Sequence, residues 1–224
     1  MPLTIAMDGP AGAGKSTIAD VLAKKLGILH LDTGAMYRTV GLACLRKGIA
    51  PGDAAAVTAA LPDIEVGVRY ADGKQQTLLN GEDVSGAIRE PQVSAAASAV
   101  AKLPEVRRAM VAVQQRLAQA TPMIVDGRDI CLRVLPNATV KLYLTASPEE
   151  RARRRFLDEK AKDPTATYEQ VLKDLIARDA QDMNRETDPL RPTPDATIVD
   201  TTGLTFEESA EKLMAIVKEA VSRE

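Results

Sequence analysis

The segment Gly9-Pro-Ala-Gly-Ala-Gly-Lys15-Ser16 limits the folds open to this chain more than any other. It matches GxxxxGK[ST] and sits between an apolar run at 3–7 and a helical pattern from Ser16 to Leu26, apolar at 18, 21, 22 and 26. The glycines let successive backbone N–H groups turn inward around phosphate oxygens, and the N-terminus of the following helix adds its positive dipole. Lys15 then reaches β- and γ-phosphates, and a hydroxyl from Ser16 or Thr17 can approach Mg2+. A plain glycine-rich turn would also start a helix, but it does not require strand, loop, Lys-Ser-Thr and helix in this register. Gly9, Pro10, Ala11, Gly12, Ala13, Gly14, Lys15, Ser16 and Thr17 are therefore the expected nucleotide-binding loop.

The rest of the chain repeats the strand-then-helix rhythm. Apolar runs at 27–31, 123–125, 140–144 and 196–199 read as further strands, the first, second and last ending at Asp32, Asp126 and Asp200. Helical patterns cover 34–46, about 148–162, 167–186 and 205–222. This alternation predicts an α/β fold, a doubly wound parallel sheet of about five strands with helices on both faces. One segment differs. Ile64, Val66, Val68 and Tyr70 alternate with polar residues or glycine, Asp72-Gly73 is a hairpin turn signal, and Asn80-Gly81 leads to a short piece at 83–85. It reads as a small antiparallel insertion at about 63–85.

Composition narrows the function. The 224 residues, 45% apolar and 27% charged, suit a soluble globular chain with a real core, expected as a single domain spanning 1–224. Lys and Arg number 29 against 31 Asp and Glu, a net −2, which argues against a nucleic-acid polymer as partner. One histidine excludes HExxH chemistry, and Cys44 and Cys131 lack the spacing of a zinc site or disulfide framework. No apolar run reaches the ~20 residues of a membrane helix, and the start lacks a basic leader, so a cytoplasmic setting without membrane partners is expected. No NKxD-type base-reading motif of a GTPase is present, and 224 residues leave little room for a motor or transporter. Small-molecule phosphotransferases remain.

The acceptor side is read from strand ends, because open α/β sheets bind ligands beyond the carboxyl ends of their strands. Asp8, Asp32 and Asp126 are expected on the rim of the loop. Thr33 can cap a helix opening at Gly34, with Arg38 one turn inside it. Asp126-Gly-Arg128-Asp129 sets two carboxylates and a guanidinium beside the phosphate site. Arg151, Arg154 and Arg155 fall on one helix face with Arg153 pointing elsewhere, and Arg178, Asp182 and Arg185 share another. A solvated face or an ion-pair ladder would explain either helix equally well.

Together, Gly9-Pro-Ala-Gly-Ala-Gly-Lys, Asp32-Thr-Gly-Ala-Met-Tyr-Arg38, Gly81-Glu-Asp-Val-Ser-Gly86, Asp126-Gly-Arg-Asp129 and Arg178-Asp…Asp182…Arg185 resemble bacterial cytidylate kinases, in order over nearly the whole chain. The resemblance implies a P-loop nucleoside monophosphate kinase that transfers a phosphoryl group from ATP, with Mg2+, to CMP or dCMP. Thr33, Arg38 and Arg128 would hold the CMP phosphate. Ser98, Arg107 and Asp129 would read cytosine with Arg185 close by, and Arg178 and Asp182 would contact the ribose. Lys15, Arg128, Arg151, Arg154 and Arg155 would act on the transferred phosphoryl, the last three from a lid at about 147–163. Ser16 would meet Mg2+, with Asp126 contributing through water, and 33–103 would form the acceptor-binding region of a monomer. Four places depart from the family's pattern: Thr33 replaces a more familiar Ser, Ser16 follows Lys15 where Gly is common, Cys131-Leu-Arg133 replaces a smaller neutral stretch, and Asp188 stands before Pro189 where a small residue is usual. The rival expectations are another P-loop kinase acting on UMP, AMP or a non-nucleotide alcohol, and a non-catalytic nucleotide-binding regulator.

Overall fold

The computed structural model describes residues 2–161 and 163–222; Lys162, inside the expected lid and last in the expected 148–162 helix, lies outside the described residues. In chain order the elements are β1 (Thr4–Asp8), α1 (Lys15–Leu26), β2 (Leu29–Asp32), α2 (Thr33–Arg46), α3 (Ala54–Ala60), β3 (Val66–Ala71), β4 (Lys74–Leu79), β5 (Glu82–Asp83), α4 (Pro91–Val100), α5 (Pro104–Ala120), β6 (Met123–Gly127), β7 (Val140–Thr145), α6 (Pro148–Lys160), α7 (Tyr168–Asn184), β8 (Thr197–Asp200) and α8 (Phe206–Val221).

Five strands form a parallel sheet in the order β2-β6-β1-β7-β8. Its central strands are apolar on both faces because helices cover both. Ile5 and Met7 of β1 face Ile18 and Leu22 of α1 and Leu213 and Val217 of α8, while Ala6 between them belongs to the core under α2 and α5. Parallel register brings Asp32 opposite Asp126 and Asp8 opposite Gly127, so the polar strand ends gather at one edge.

Local chemistry sets the boundaries. Gly27 closes α1 in the left-handed conformation at φ 67°, where a Cβ would be strained. Asp32, not Thr33, caps α2: its carboxylate accepts the Ala35 N–H at 2.9 Å, and Thr33 becomes the first helical residue. A capping box between Thr205 and Glu208 opens α8. Helices α3, α4 and α5 have no counterpart in the periodic segments identified from sequence. Pro91 and Pro104 mark the starts of α4 and α5, where a missing N–H costs nothing. Alanine-rich α4 carries little amphipathic contrast, since its task is close approach to α2. A Cβ on Gly41 would lie 2.9 Å from the Ala97 nitrogen. A π-helical turn at Ile130–Val134 follows β6 and was likewise invisible to periodicity.

The expected insertion is an antiparallel sheet, β3-β4-β5, whose first strand begins at Val66 rather than at Ile64. Asp72 and Gly73 join β3 to β4 with φ of 51° and 73°, the positive pair of a tight hairpin turn. The sheet leans on the edge strand β2. Gln75 accepts the Asp32 N–H at 2.8 Å and donates to its carbonyl at 3.3 Å, and the Tyr70 hydroxyl donates to the His30 carbonyl at 3.1 Å. An edge that would otherwise stay unpaired is thereby covered. No helix among the described residues is long and apolar enough to cross a membrane.

Candidate active site

A cleft of about 740 Å³ opens along the carboxyl edge of the parallel sheet. Among the described residues it gathers nine arginines and Lys15 against six carboxylates, a strongly positive cavity in a chain of net charge −2. One end is the phosphate loop. A Cβ on Gly9, at φ 150°, would lie 2.0 Å from the Leu144 carbonyl oxygen, so only glycine can leave β1 here. Gly12 and Gly14 take the left-handed conformation that turns backbone N–H groups inward. Lys15 folds over its own loop, donating to the carbonyls of Gly9 at 2.7 Å and Pro10 at 2.9 Å. Burial, with the Arg128 charge added, pulls its pKa down to about 7 against the opposing pull of Asp126 and Asp8. An arriving polyphosphate supplies the anionic partner that this ammonium lacks.

Behind the loop lies a polar relay absent from the sequence reading. The Ser16 hydroxyl donates to Asp126 Oδ2 at 2.8 Å; His30 Nε2 lies 3.0 Å from Asp126 Oδ1, and its Nδ1 lies 2.6 Å from Asp20. Burial disfavours a charged imidazole, but hydrogen bonds to the two carboxylates outweigh it and raise the pKa to about 10. His30 is thus a doubly protonated cation that donates from both nitrogens. A buried histidine in an apolar strand gives no periodic signal, and only its place two residues before the strand-end Asp32 marks it. The Ser16 hydroxyl and Asp126 carboxylate are hard oxygen donors beside the loop, and they fit a hydrated Mg2+.

One expected rim residue and one expected lid residue are placed elsewhere. Asp8 is buried, its oxygens accepting the Ile130 and Cys131 N–H groups at 2.7 and 2.8 Å; it anchors the π-helical turn and does not line the cleft. Arg151 is also absent from the cleft wall. It is 4% exposed and donates to the Ala146 and Ala11 carbonyls, both at 2.8 Å, and to Asp179 at 2.6 Å. Asp179 in turn accepts the Ala11 N–H at 3.3 Å, so Arg151 and Asp179 together pin the phosphate loop. The shared helix face predicted for Arg151, Arg154 and Arg155 fails: Arg153, Arg154 and Arg155 line the cleft, and Arg151 points under the loop. Helical spacing does not say which face of α6 meets the loop, so it does not separate Arg151 from Arg153. Arg154 is tied to Glu150 at 2.9 Å and to the Thr201 carbonyl at 2.9 Å, and Arg155 to Glu159 at 2.7 Å.

Beyond the loop the remaining candidates come together. The Thr33 hydroxyl donates to the Asp126 carbonyl at 2.7 Å, and a Cβ on Gly127 would meet that hydroxyl at 2.7 Å. Arg38 is held by Asp32 at 2.7 Å, and Arg128 by Asp182 at 2.8 Å. Arg178 has no carboxylate that close among the described residues, and the Nε atoms of Arg178 and Arg38 are buried without partners. Burial, then the Arg128 charge, lowers the Arg178 pKa to about 10. Buried donors without partners are costly unless a ligand satisfies them, and here that ligand must be anionic. At the far end Asp129 accepts from Arg107 through one oxygen and from Arg185 at 3.1 Å through the other. Ser98 lines the same wall, its hydroxyl turned to the Ser94 carbonyl at 3.3 Å.

Comparison with known proteins agrees over the full length. A family model described as cytidylate kinase matches residues 5–219. A cytidylate kinase from Caldicellulosiruptor bescii is 47% identical over 222 residues, covering 99% of this chain and 98% of that protein. One from Geobacter sulfurreducens is 44% identical, covering 97% and 93%. Among solved structures, an uncharacterized protein from Eubacterium ventriosum shares the fold alone, with TM-score 0.54 and 7% identity over 96% of this chain and 98% of that one.

Proposed function

This chain belongs to the cytidylate kinase family, and from that premise we infer that it phosphorylates CMP with ATP, giving CDP and ADP. One observation supports the reading above the others: a single continuous cleft has the phosphate loop at one end and the Asp129 cluster at the other, with unpartnered arginine donors between. In this reading ATP lies on the loop with its γ-phosphate toward Lys15. Thr33, Arg38 and Arg128 hold the CMP phosphate; Ser98, Arg107 and Asp129 read cytosine with Arg185 beside them; Arg178 and Asp182 face the ribose. The acceptor-binding region is 33–103 with the insertion at 63–85, and dCMP is a second acceptor.

A CMP phosphate oxygen attacks the γ-phosphorus in line, its O–P bond forming as the bond to the β–γ bridging oxygen breaks. The attacking oxygen is already ionised, so no general base is required. Charge spreads over the γ-oxygens, and Lys15 and Arg128 stabilise it there, with Arg178 adjacent. Ser16 would hold Mg2+, with Asp126 contributing through water, and the ion when bound would neutralise charge on the phosphates. Segment 147–163 acts as a lid that brings in Arg154 and Arg155, joined by Arg153, and excludes water so that ATP is not hydrolysed. Cys44 and Cys131 are buried and form no disulfide with each other, as suits a cytoplasmic enzyme; it acts as a monomer on free nucleotides.

The test is coupled ADP release with CMP, dCMP, UMP, AMP or no acceptor. CMP and dCMP should support turnover, UMP far less and AMP least. Equal rates with UMP would refute the base assignment, and ATP binding without transfer to any monophosphate would refute the kinase reading.

A further inference from the structure

Two of the stretches where this chain departs from the pattern it resembles, Cys131-Leu-Arg133 and Asp188, meet in space. Arg133, in the turn after β6, pairs through Nε with Asp188, in the loop after α7. The other Asp188 oxygen accepts Arg107 Nε at 3.2 Å, and the Asp188 backbone carbonyl accepts Arg185 Nε at 2.6 Å. One residue therefore touches both arginines that bind Asp129. We propose that Asp188 and Arg133 form a clasp that orients the Arg107 guanidinium in the acceptor pocket, making them positioning residues for discrimination between cytosine and uracil. The proposal rests on the assignment of Arg107 and Asp129 to the base.

The guanidinium is planar, so fixing one edge directs the other. Arg107 is 3% exposed, and its three nitrogens go to Asp188, to the Ala101 carbonyl at 3.4 Å and to Asp129. With Nε held by Asp188, the Nη edge must face Asp129 and the cleft. Without that anchor, Asp129, a long contact to a carbonyl and the Tyr37 ring 5.9 Å from the guanidinium carbon remain, and none of them holds Nε. Asp188 is itself held firmly. It takes φ 50°, a left-handed conformation that aspartate tolerates better than most side chains, and the Leu190 N–H ties the turn to the Asp182 carbonyl at 2.9 Å.

Arg133 has a different duty. Its side chain, 58% exposed, lies outside the cleft wall, although its N–H donates to the Asp129 carbonyl at 2.8 Å; it balances the Asp188 charge, which would otherwise compete with Asp129 for Arg107. The two residues enter as a neutral pair, so they change the orientation of Arg107 and not the net charge of the pocket. Cytosine and uracil present opposite hydrogen-bonding edges at the same place. An arginine free to turn accommodates either, and a fixed one does not.

Asp188→Gly is the decisive variant, because glycine accepts the left-handed backbone and removes only the carboxylate. Its KM for CMP should rise on the order of tenfold, with kcat and the KM for ATP within about threefold, and the CMP-to-UMP ratio of kcat/KM should narrow several-fold. Asp188→Asn, which keeps an acceptor oxygen and the turn, should fall between Asp188→Gly and wild type. Arg133→Ala should raise KM for CMP alone, yet add little in the Asp188→Gly background, since the contact is already lost. A wild type active on CMP, beside an Asp188→Gly variant within about twofold of it in KM and base ratio, overturns the clasp and leaves the proposed function standing. Equal rises in KM for both substrates, or strictly additive effects of the two substitutions, also overturn it. Should Asp188→Gly fail to fold, Asp188→Asn and Arg133→Ala with unchanged KM for CMP overturn it instead. A wild type without CMP-dependent ADP release overturns the proposed function and this inference together.

Discussion

Replacing Arg151 by methionine separates a residue that supports the phosphate loop from one that arrives on lid closure. The side chain is 4% exposed and donates three hydrogen bonds of 2.6–2.8 Å, two to carbonyls and one to Asp179. Methionine keeps most of the volume, so the cost is electrostatic: Asp179 is left buried without its cation. Removing one partner of a buried pair costs about 3–5 kcal/mol. For a chain of this size each kcal/mol moves Tm by roughly 2–4 °C, so the variant should melt about 6–20 °C lower. Melting must be followed without nucleotide, since a ligand that binds only the folded state adds its own stability. The KM for ATP should also rise, because the Ala11 carbonyl has lost its donor. A double variant, Arg151→Met with Asp179→Leu, removes both charges and should regain most of the lost Tm. Its KM for ATP should stay high, because the Ala11 N–H has then lost its acceptor as well. The reasoning is refuted if Arg151→Met melts within about 2 °C of wild type while kcat collapses. That outcome would make Arg151 a lid residue whose contacts form only on closure.

Further outcomes are expected. Lys15→Ala should leave less than about a tenth of wild-type turnover with the fold retained, measured as ADP release beside circular dichroism. Alanine at Arg38 or Arg128 removes charge-assisted contacts worth roughly 1.5–3 kcal/mol and should raise KM for CMP far more than KM for ATP; equal effects would mark a structural role only. Wild type should favour CMP over UMP by on the order of tenfold to several hundredfold in kcat/KM, and Asp129→Asn should narrow that ratio. Finally, His30 titrates near 10 in the folded chain against an ordinary 6.5, so its stabilisation is complete below about 6.5 and is lost as pH rises toward 10. Lys15, held at about 7, has the opposite slope above neutrality, but it is common to both proteins compared. Urea midpoints from pH 6 to pH 9 should therefore fall more steeply for wild type than for His30→Asn; parallel curves would refute the imidazolium assignment.

Much of the molecule was legible before its structure, for reasons that lie in chemistry local to the chain. A loop that folds around phosphate needs glycines at fixed positions, and the flanking strand and helix follow within a few residues, so Gly9 to Ser16 announces itself. Buried parallel strands must be apolar runs, and a tight hairpin needs residues that accept positive φ, which made β1, β6, β7 and the Asp72-Gly73 turn readable. Helix α4 was not, because its alanine-rich segment carries too little periodic contrast, and the close approach of Ala97 to Gly41 shows only once α2 and α4 are in place; α5 does carry a readable stripe, with Val106, Met110, Gln114 and Ala118 four residues apart on its buried face.

What tertiary structure alone decided is which charged residues meet. Arg151, Arg153, Arg154 and Arg155 are adjacent in sequence and alike in chemistry. Their separation into one buried anchor and three cleft residues depends on how α6 lies against the phosphate loop and Asp179. His30 joins Asp20 to Asp126, and Asp188 joins Arg133 to Arg107, across separations of 10 to 96 residues. A charge carries no periodicity and no preferred sequence distance to its partner. Side-chain type and local spacing therefore determine the elements and the phosphate loop, whereas the partner of each buried charge, and with it each arginine's duty, is set by the packing of the sheet and helices around the cleft.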